Sequence, residues 1–455
     1  MHRALSRVAA VLCTLLLGAA RPQAPARRVD RQTEHADLLR IAKASLESDT
    51  IRIRRGTLVT AGTHQFASAW TRDFLSSIRG LLAADRAETV RTQLTTILDH
   101  VREDGLLPRS LDSVDTKTRV LLGTISWFLP SFMTPWTSGI FKKFAPAIGG
   151  KLKAEYEDQY GNIAIDGNAL AILGAYGYAA HTSDQGWLAP RKRRLVKVFR
   201  FYDSKKDAAG LISQPAFSDW KDSLKREGPT FLTNVLYQRA GRALAADPDV
   251  PGQIDAAALD AHAATVRRAF FDEKTGLFRA TLDRPAPQPT GPWAWFTKGL
   301  VRAPLAPTID LDDNLLAIDT GFVPADSAEG KALYLSLRAS DLWPKDDVPG
   351  AVTQKYPTGD KSWMVRMVGL SGYHDKLYWS WIMAKAAKVA HRMGDDAEAD
   401  RILAELTRMA KRDGAIAEVY DPAQEHKPWR TWAYVSESPF LAGAAAVVET
   451  LHAVR

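Results

Sequence analysis

The sequence predicts an all-α fold in which helical hairpins close into an (α/α)6 toroid. Ten segments carry apolar residues at i, i+3 and i+4, the spacing of one helix face, and alternating strand patterns are nearly absent. No fixed repeat period is visible, which disfavours an open solenoid of repeated hairpins. The links differ in length and are rich in Trp, Asp and Glu along one rim, which favours a closed ring around a pocket.

The predicted helices are separated by short links containing Gly or Pro, such as residues 104–108 and 274–276. At ~150 residues per domain, 455 residues would suggest about three domains. A single large toroid accounts for all of the helical segments, so we predict one catalytic domain over 27–455. The helices are predicted at 67–85, 87–103, 168–180, 190–201, 230–246, 256–271, 326–340, 372–393, 396–412 and 438–452.

Two aromatic-rich insertions interrupt the helical pattern at about 119–153 and 285–307. We interpret them as a lid or rim over the pocket. Packing against the outer wall of the toroid and contact with a membrane surface are the alternatives. Their aromatic residues are Trp127, Phe128, Phe132, Trp136, Phe141, Trp293, Trp295 and Phe296.

Residues 1–26 have the three-part pattern of a secretory signal peptide. Basic residues precede an apolar run from Val8 to Ala20, which is too short to span a bilayer well, and small residues follow. The alternative is an uncleaved anchor. Cys13 is the only cysteine, so a cleaved chain has no disulfide and no thiol nucleophile. We therefore expect an exported protein, periplasmic or secreted, without stable membrane insertion after cleavage.

The charge pattern argues against a nucleic-acid-binding protein. The formal net charge is +8, but the basic residues are dispersed apart from the run Arg191–Arg194. Nucleic-acid binding would need a broader basic stripe with stacking aromatic residues. No cluster with metal-ligand spacing is visible, so we expect no catalytic metal and no cofactor.

The chain contains thirteen tryptophans, and several lie beside acids in turn-like segments. Sugars need such surfaces, because aromatic rings cover their C–H faces and carboxylates bind their hydroxyls. In the first such segment, Trp70, Arg72 and Asp73 crowd a helix start. We predict that Asp73 accepts hydrogen bonds from sugar hydroxyls, and a simple ion pair with Arg72 is the alternative.

A second segment, Asp219-Trp220-Lys221-Asp222, lies just before a long predicted helix. Either acid could be a helix N-terminal anion. The alternative is that one of them is the protonated general acid that glycoside cleavage requires. These residues alone do not decide between the two acids.

Two further segments carry candidate site residues. Glu418 follows the helix predicted to end at Arg412, and the apolar Ile416 and Tyr420 around it indicate partial burial rather than a solvated loop. His374 opens the predicted helix that carries Trp379, where it either caps the helix or contacts substrate.

The order of these motifs resembles the neutral/alkaline invertases and, more widely, the six-hairpin glycosidases that include amylo-alpha-1,6-glucosidase domains. Shared features are an Arg-Asp-Phe helix start, a Gly-x-x-Pro-x-Ser turn at residues 105–110, a turn at 166–168, the pair Tyr373-His374, and Glu418-Val419-Tyr420-Asp421. The resemblance covers most of the chain after the signal, without the two insertions.

The resemblance implies an exo-acting glucosidase on α-glucosidic di- or oligosaccharides, with Asp222 as general acid and Glu418 as general base. Asp222 is preferred to Asp219 because Arg226 follows it by four residues, as in related enzymes. Lys221-Asp222-Ser223 and Asp375-Lys376 depart from the invertase pattern, so sucrose specificity does not carry over. The predicted substrate-binding residues are Trp70, Arg72, Asp73, Asp166, Asn168, Asp219, Trp220, Arg226, His374 and Trp432.

This assignment predicts an inverting mechanism, with the two carboxyl groups roughly 6.5–9.5 Å apart. Three alternatives stay open. A non-catalytic toroid would bind a small carbohydrate without turnover, and a lyase would need a Tyr/His pair facing an anionic substrate. A terpene-cyclase-like toroid would use the Asp-x-Asp-Asp pattern of Asp310, Asp312 and Asp313.

Overall fold

A computed structural model describes residues 26–53, 56–63, 66–112, 152–158, 161–250, 252–283, 306–361, 363–367, 369–432 and 434–454. The predicted signal peptide, apart from Ala26, and most of both predicted insertions lie outside these residues. The helices are α1 Ala26–Ser48, α2 Thr71–Ala83, α3 Ala87–Asp99, α4 Asp166–Thr182, α5 Gln185–Leu188, α6 Lys192–Arg200, α7 Phe231–Ala245, α8 Ala256–Phe270, α9 Leu311–Asp319, α10 Ala328–Ala339, α11 Trp363–Met367, α12 Ser380–Arg392, α13 Asp396–Asp413 and α14 Leu441–Ala453.

Six of these helices contact one another in a cycle. In chain order α2 packs on α4, α4 on α7, α7 on α9, α9 on α12, α12 on α14, and α14 returns to α2. A second set lies outside them: α3 packs on α2 and α4, α6 on α4 and α7, α8 on α7, α10 on α9, α13 on α12, and α1 on α13 and α14. The hairpins predicted from the apolar spacing are therefore present as pairs of one inner and one outer helix.

The inner helices approach closely where small residues face each other. A Cβ atom on Gly80 of α2 would lie 2.0 Å from the carbonyl oxygen of Ala445 in α14. A Cβ atom on Gly443 would lie 2.1 Å from Oγ of Ser380, at the start of α12. Larger side chains at these two positions would separate the helices that close the cycle, because packed interiors have no room to absorb them.

Short antiparallel strands, not anticipated from the sequence, lie at the loop ends of the helices. A pairing of two to four residues leaves no alternating pattern long enough to recognise. The strands are β1 Thr50–Ile53, β2 Gly56–Val59, β3 Ala69–Trp70, β4 Ser110–Asp112, β5 Lys153–Glu155, β6 Ser213–Gln214, β7 Gly228–Pro229, β8 Phe271–Asp272, β9 Leu277–Phe278, β10 Tyr378–Trp379, β11 Val419–Asp421 and β12 Lys427–Pro428, paired as β1-β2, β3-β4-β5, β6-β7, β8-β9 and β10-β11-β12.

Most predicted helices are confirmed, with three differences at their starts. The helix predicted from residue 67 begins at Thr71, because Ala69 and Trp70 pair with β4. The helix predicted from residue 372 begins at Ser380, because Tyr378 and Trp379 pair with β11. The helix predicted from residue 438 begins at Leu441. No helix among the described residues is long and apolar enough to cross a membrane.

Buried charges hold the inner helices together at their C-terminal ends. Nζ of Lys388 in α12 lies 2.6 Å from Oδ1 of Asp319, the last residue of α9, and 2.7 Å from Oε1 of Glu449 in α14. Arg79 of α2 lies 3.6 Å from the same Glu449 oxygen. Ion pairs thus join four of the inner helices toward this end, with Arg79 largely exposed.

Candidate active site

Polar contacts connect the N-terminal ends of several inner helices with one another and with the predicted site segments. Arg72 at the start of α2 binds Asp166 at the start of α4, with a Nε–Oδ2 distance of 2.8 Å. The indole Nε1 of Trp220 donates to Oδ2 of Asp312 at the start of α9 over 2.9 Å. The main-chain nitrogen of Ser380, which begins α12, donates to the carbonyl of Glu418 over 3.1 Å. The motifs predicted to form one site therefore meet at one end of the helix cycle.

Asp222 lies between two arginines. Its Oδ2 atom is 3.5 Å from Nη1 of Arg72 and accepts a hydrogen bond from Nη2 of Arg109 over 3.4 Å. One third of its side chain (33%) is exposed. The predicted mechanism assumed a desolvated carboxyl here, and the described surroundings are instead open and positively charged.

Two further acids, both predicted to bind substrate, lie close to Arg72. Burial raises the pKa of Asp166 to about 6, although the charge of Arg72 acts against it. Burial also raises the pKa of Asp73 to about 6, opposed by Arg72 and reinforced by Asp222. The guanidinium of Arg109 lies over the Trp70 ring at 4.8 Å from its centroid. An aromatic face, two cations and several carboxylates are the groups that a sugar-binding pocket requires.

Asp219 and Arg226 are buried below this surface, in a network of charges. Arg226 lies 3.4 Å from Asp219 and 3.6 Å from Asp310. Nε2 of Gln214 and the main-chain nitrogen of Lys221 each donate to Asp219 over 2.9 Å. The substrate-binding role predicted for Asp219 and Arg226 therefore has no support in these contacts. Arg226 pairs with Asp219, whereas the preference for Asp222 came from the spacing to Arg226 in related enzymes.

Lys221 is the centre of the same network. Its Nζ lies 2.9 Å from Asp310, 2.9 Å from Asp312 and 3.5 Å from Asp313, and all four residues are buried. Burial raises the pKa of Asp312 and, more strongly, that of Asp313. These acids form buried ion pairs with Lys221 and Arg226, a structural role that differs from the catalytic role that the terpene-cyclase alternative requires. Their position instead anchors the segment that ends at Asp222.

Replacing Lys221 by Met is expected to destabilise the protein by about 3–5 kcal/mol, because three buried carboxylates lose their central counter-charge. Urea unfolding at pH 7 measures the effect. Lys43→Met is the matched control, since Lys43 forms an exposed pair with Asp85 whose loss should cost less than about 1 kcal/mol. Equal losses in the two variants would contradict the anchoring role.

His374 lies inside an aromatic cluster rather than at a helix cap. Its ring stacks on Trp379 with 5.2 Å between centroids and meets the edge of Trp220 at 5.1 Å. Its Nδ1 lies 2.6 Å from Oγ of Ser223, the residue after Asp222. Burial, together with the charge of Lys221, holds the pKa of His374 well below its usual range, so the ring is neutral. His374 therefore ties the Asp222 loop to the segment that precedes α12.

Glu418 is almost fully buried, with 2% of the residue exposed, beneath two tyrosines. The hydroxyl of Tyr373 donates to Oε1, and the hydroxyl of Tyr434 donates to Oε2. The main-chain nitrogen of Glu437 lies 3.4 Å from Oε2 as a third donor. Burial raises the pKa of Glu418 to about 8, while the two hydroxyl groups act to lower it. The apolar residues that predicted its burial, Ile416 and Tyr420, are themselves buried.

Replacing Tyr434 by Phe is expected to raise the pKa of Glu418 further, because the ionised carboxylate loses a hydrogen-bond donor. If Glu418 acts as a base, the acidic limb of kcat/KM should then move to higher pH by about one pH unit. A pH profile of each variant measures this. Tyr378→Phe is the control, since that hydroxyl donates to Asp347 instead. An unmoved limb in the Tyr434 variant would contradict the contact's role.

The remaining predicted residues differ in their surroundings. Asn168 is buried, and its amide binds only main-chain groups, those of Gly105, Leu107 and Val198, at 3.0–3.1 Å. It therefore holds a turn and is not directed at a sugar. Trp432 is 57% exposed and lies two positions before Tyr434 in the chain. No group of three or more potential metal ligands occurs among the described residues.

Arg109, Tyr373 and Tyr434 contact the two carboxylates, and the sequence analysis did not select them as site residues. Arg109 stood in the Gly-x-x-Pro-x-Ser turn at a variable position, so nothing singled it out. Tyr373 was noted only as a neighbour of His374. Tyr434 is separated from Glu418 by 16 positions, and no local sequence pattern predicts that its hydroxyl binds this carboxylate.

Comparison with known proteins supports the resemblance that the motifs predict. A sequence profile of the amylo-alpha-1,6-glucosidase family matches residues 42–137, about a fifth of the chain. No curated protein sequence matches the chain. Several solved structures of glycosidases share its fold. The sequence profile and the fold therefore both indicate a glycosidase.

Three of these structures illustrate the likeness. A rhamnosidase from Klebsiella oxytoca with rhamnose bound has 11% identity and a TM-score of 0.58 over 92% of this chain, which spans only 63% of the rhamnosidase. A glycosidase variant in complex with glucose has 15% identity and a TM-score of 0.56, over 93% of this chain and 97% of its own. A mannosylglycerate hydrolase from Thermus thermophilus in complex with Tris has 15% identity and a TM-score of 0.55, over 90% of this chain and 99% of its own. At these identities the likeness establishes the fold.

Proposed function

We propose that this protein is an inverting, exo-acting glucosidase that uses Asp222 as general acid and Glu418 as general base on an α-glucosidic di- or oligosaccharide. The observation that carries the proposal is that two carboxylates from distant loops lie at the same end of the helix cycle in contrasting surroundings. Asp222 is partly exposed beside cations, and Glu418 is buried beneath hydroxyl donors. Glycoside hydrolysis requires two such carboxylates with different tasks.

In the proposed reaction, Glu418 acts in its ionised form, which predominates above its pKa of about 8, and removes a proton from a water molecule as the water oxygen attacks the anomeric carbon. The bond from that carbon to the glycosidic oxygen breaks on the opposite side, and Asp222 donates its proton to the departing oxygen. The hydroxyl groups of Tyr373 and Tyr434 orient the Glu418 carboxylate. Asp73 is available for the sugar hydroxyls, with Trp70 as a face for the C–H surface of the sugar. Asp166 is buried and holds Arg72 in place, so the substrate-binding role predicted for it is an indirect one.

The contact cycle of the inner helices supports the closed (α/α)6 toroid as one catalytic domain over 27–455. We further propose that residues 1–26 are a cleaved signal peptide and that the mature protein is periplasmic or secreted. N-terminal sequencing of the protein from a cell fraction outside the cytoplasm would test this, and an intact Met1 there would contradict cleavage.

The activity is tested by incubating the purified protein with a panel of α- and β-glycosides and measuring released reducing sugar. The panel should contain glucosides, mannosides and rhamnosides, since the proteins of related fold include a mannosylglycerate hydrolase and a rhamnosidase. Turnover of an α-glucoside is the expected result. Saturable sugar binding without turnover of any glycoside would instead favour a non-catalytic carbohydrate-binding toroid.

A further inference from the structure

We infer that the leaving group of the substrate carries an anionic group, a carboxylate or a phosphate, which binds Arg109 next to the glycosidic oxygen. This rests on the proposed role of Asp222 and extends it by naming the class of leaving group. Arg109 then determines the specificity for an anionic leaving group. Its local sequence pattern did not indicate this role.

The first support is the charge around Asp222. Asp166 binds the Nε edge of Arg72 at 2.8 Å, so Arg72 already has a close carboxylate partner. Arg109 has one carboxylate within 4 Å in the described part of the chain, Asp222, and that contact is long at 3.4 Å. Arg109 is therefore the cation of this site whose charge is least compensated.

The second support is an unused donor beside Arg109. The indole Nε1 of Trp70 is buried and has no hydrogen-bond partner among the described residues. Buried N–H groups are rarely left without an acceptor, because their desolvation costs free energy. The Arg109 guanidinium stacks over the same indole and keeps 17% of its side chain exposed. An N–H donor without an acceptor and a partly exposed cation thus lie together.

The backbone holds this pair in place. The main-chain nitrogen of Arg109 donates to the carbonyl of Glu155 over 2.6 Å, and its carbonyl accepts from the nitrogen of Thr71 over 3.0 Å. Ser110, the residue after Arg109, belongs to β4 and pairs with Trp70 of β3. The arginine is therefore presented by a three-stranded sheet and not by a long free loop, as a specific subsite requires.

The third support is the position of Arg109 beside the proposed acid. Both guanidinium groups converge on the same oxygen, Oδ2 of Asp222. Because Arg109 lies 3.4 Å from Asp222, the anion must be attached close to the glycosidic oxygen, as in a 2-hydroxy acid or its phosphate counterpart.

Isothermal titration calorimetry with leaving-group mimics tests this without requiring turnover. Lactate represents the carboxylate, glycerol 2-phosphate the phosphate, and propane-1,2-diol the neutral counterpart. At least one anion should bind the wild-type protein, and the diol should bind at least about tenfold more weakly. The stronger of the two anions identifies which group the substrate carries.

Three variants connect this binding to Arg109. Arg109→Gln should weaken the preferred anion about tenfold or more, while Arg109→Lys should retain part of the affinity. Arg194→Gln, which removes a surface partner of Asp99, should bind the anion like the wild type. Melting temperatures establish that each variant is folded.

The inference is overturned if neither anion binds the folded wild-type protein, if the diol binds as well as the anions, or if Arg109→Gln leaves anion binding unchanged. These outcomes are separate from failure of the proposed function. A protein that hydrolyses neutral glucosides and ignores both anions would keep the glucosidase assignment and lose this one. Anion binding at Arg109 with no turnover of any glycoside would support this inference and contradict the glucosidase assignment.

Discussion

Replacing Glu418 by Gln is expected to lower kcat on the best glycoside by about 100- to 10,000-fold, because the amide cannot accept a proton from the attacking water. The loss should persist on glycosyl fluorides, whose departing fluoride needs no proton, because the water must still be activated. Steady-state kinetics on both substrate types measures it. Near wild-type turnover in a folded Glu418→Gln variant would contradict its role as base.

The same variant should gain stability in alkaline solution. The pKa of Glu418 is about 8 in the folded protein, against an ordinary value of 4.5. Between these two values the folded state holds a proton that the unfolded state has lost, so Glu418 makes the protein less stable as pH rises through this range. Gln has no proton to lose. We therefore compare the melting temperature of the variant with that of the wild type at two pH values. The difference, variant minus wild type, should be larger at pH 9 than at pH 5.

Replacing Asp222 by Asn should have an equally large but more selective effect. On glycosides with poor leaving groups, kcat/KM should fall by about 100- to 10,000-fold, because no proton reaches the glycosidic oxygen. On a glycosyl fluoride most of the activity should remain. Parallel assays of the two substrates separate the tasks of Asp222 and Glu418, and equal losses on both would contradict the role of Asp222 as acid.

Asp219→Asn is the matched control for Asp222. Asp219 is buried, and although burial raises its pKa, Arg226 and Lys221 more than reverse this and leave its pKa below the ordinary value. An acid held in this way anchors charges and does not donate protons. We expect the Asp219 variant to lose stability and to keep the relative rates on poor and activated leaving groups.

The helical scaffold could be predicted from the sequence because its signal is local. Helices α7 and α8 begin within one residue of their predicted starts, since apolar spacing reports which face is buried. Helix α1 was missed, because its first half is polar and, from residue 31 onward, its first buried residue is Leu38. The strand at Ala69–Trp70 was missed because two paired residues have no period.

The site was predictable to the extent that its chemistry lay in short motifs. Asp222 and Glu418 stood in segments that combine acids with aromatic residues, and both lie at the same end of the helix cycle. What surrounds them was not predictable, because it depends on residues distant in sequence. Arg109 reaches Asp222 across 113 positions. The hydroxyl of Tyr373 reaches Glu418 across 45 positions, and no local pattern records such a contact.

The central claim is that Asp222 and Glu418 act on opposite faces of the sugar in a single displacement. Proton NMR of the first product formed from an α-glucoside, recorded before mutarotation, tests this most directly. We expect β-glucose to appear first and then to equilibrate with α-glucose. Initial release of α-glucose would mean retention through a covalent intermediate, and would contradict the assignment of Glu418 as a base that activates water.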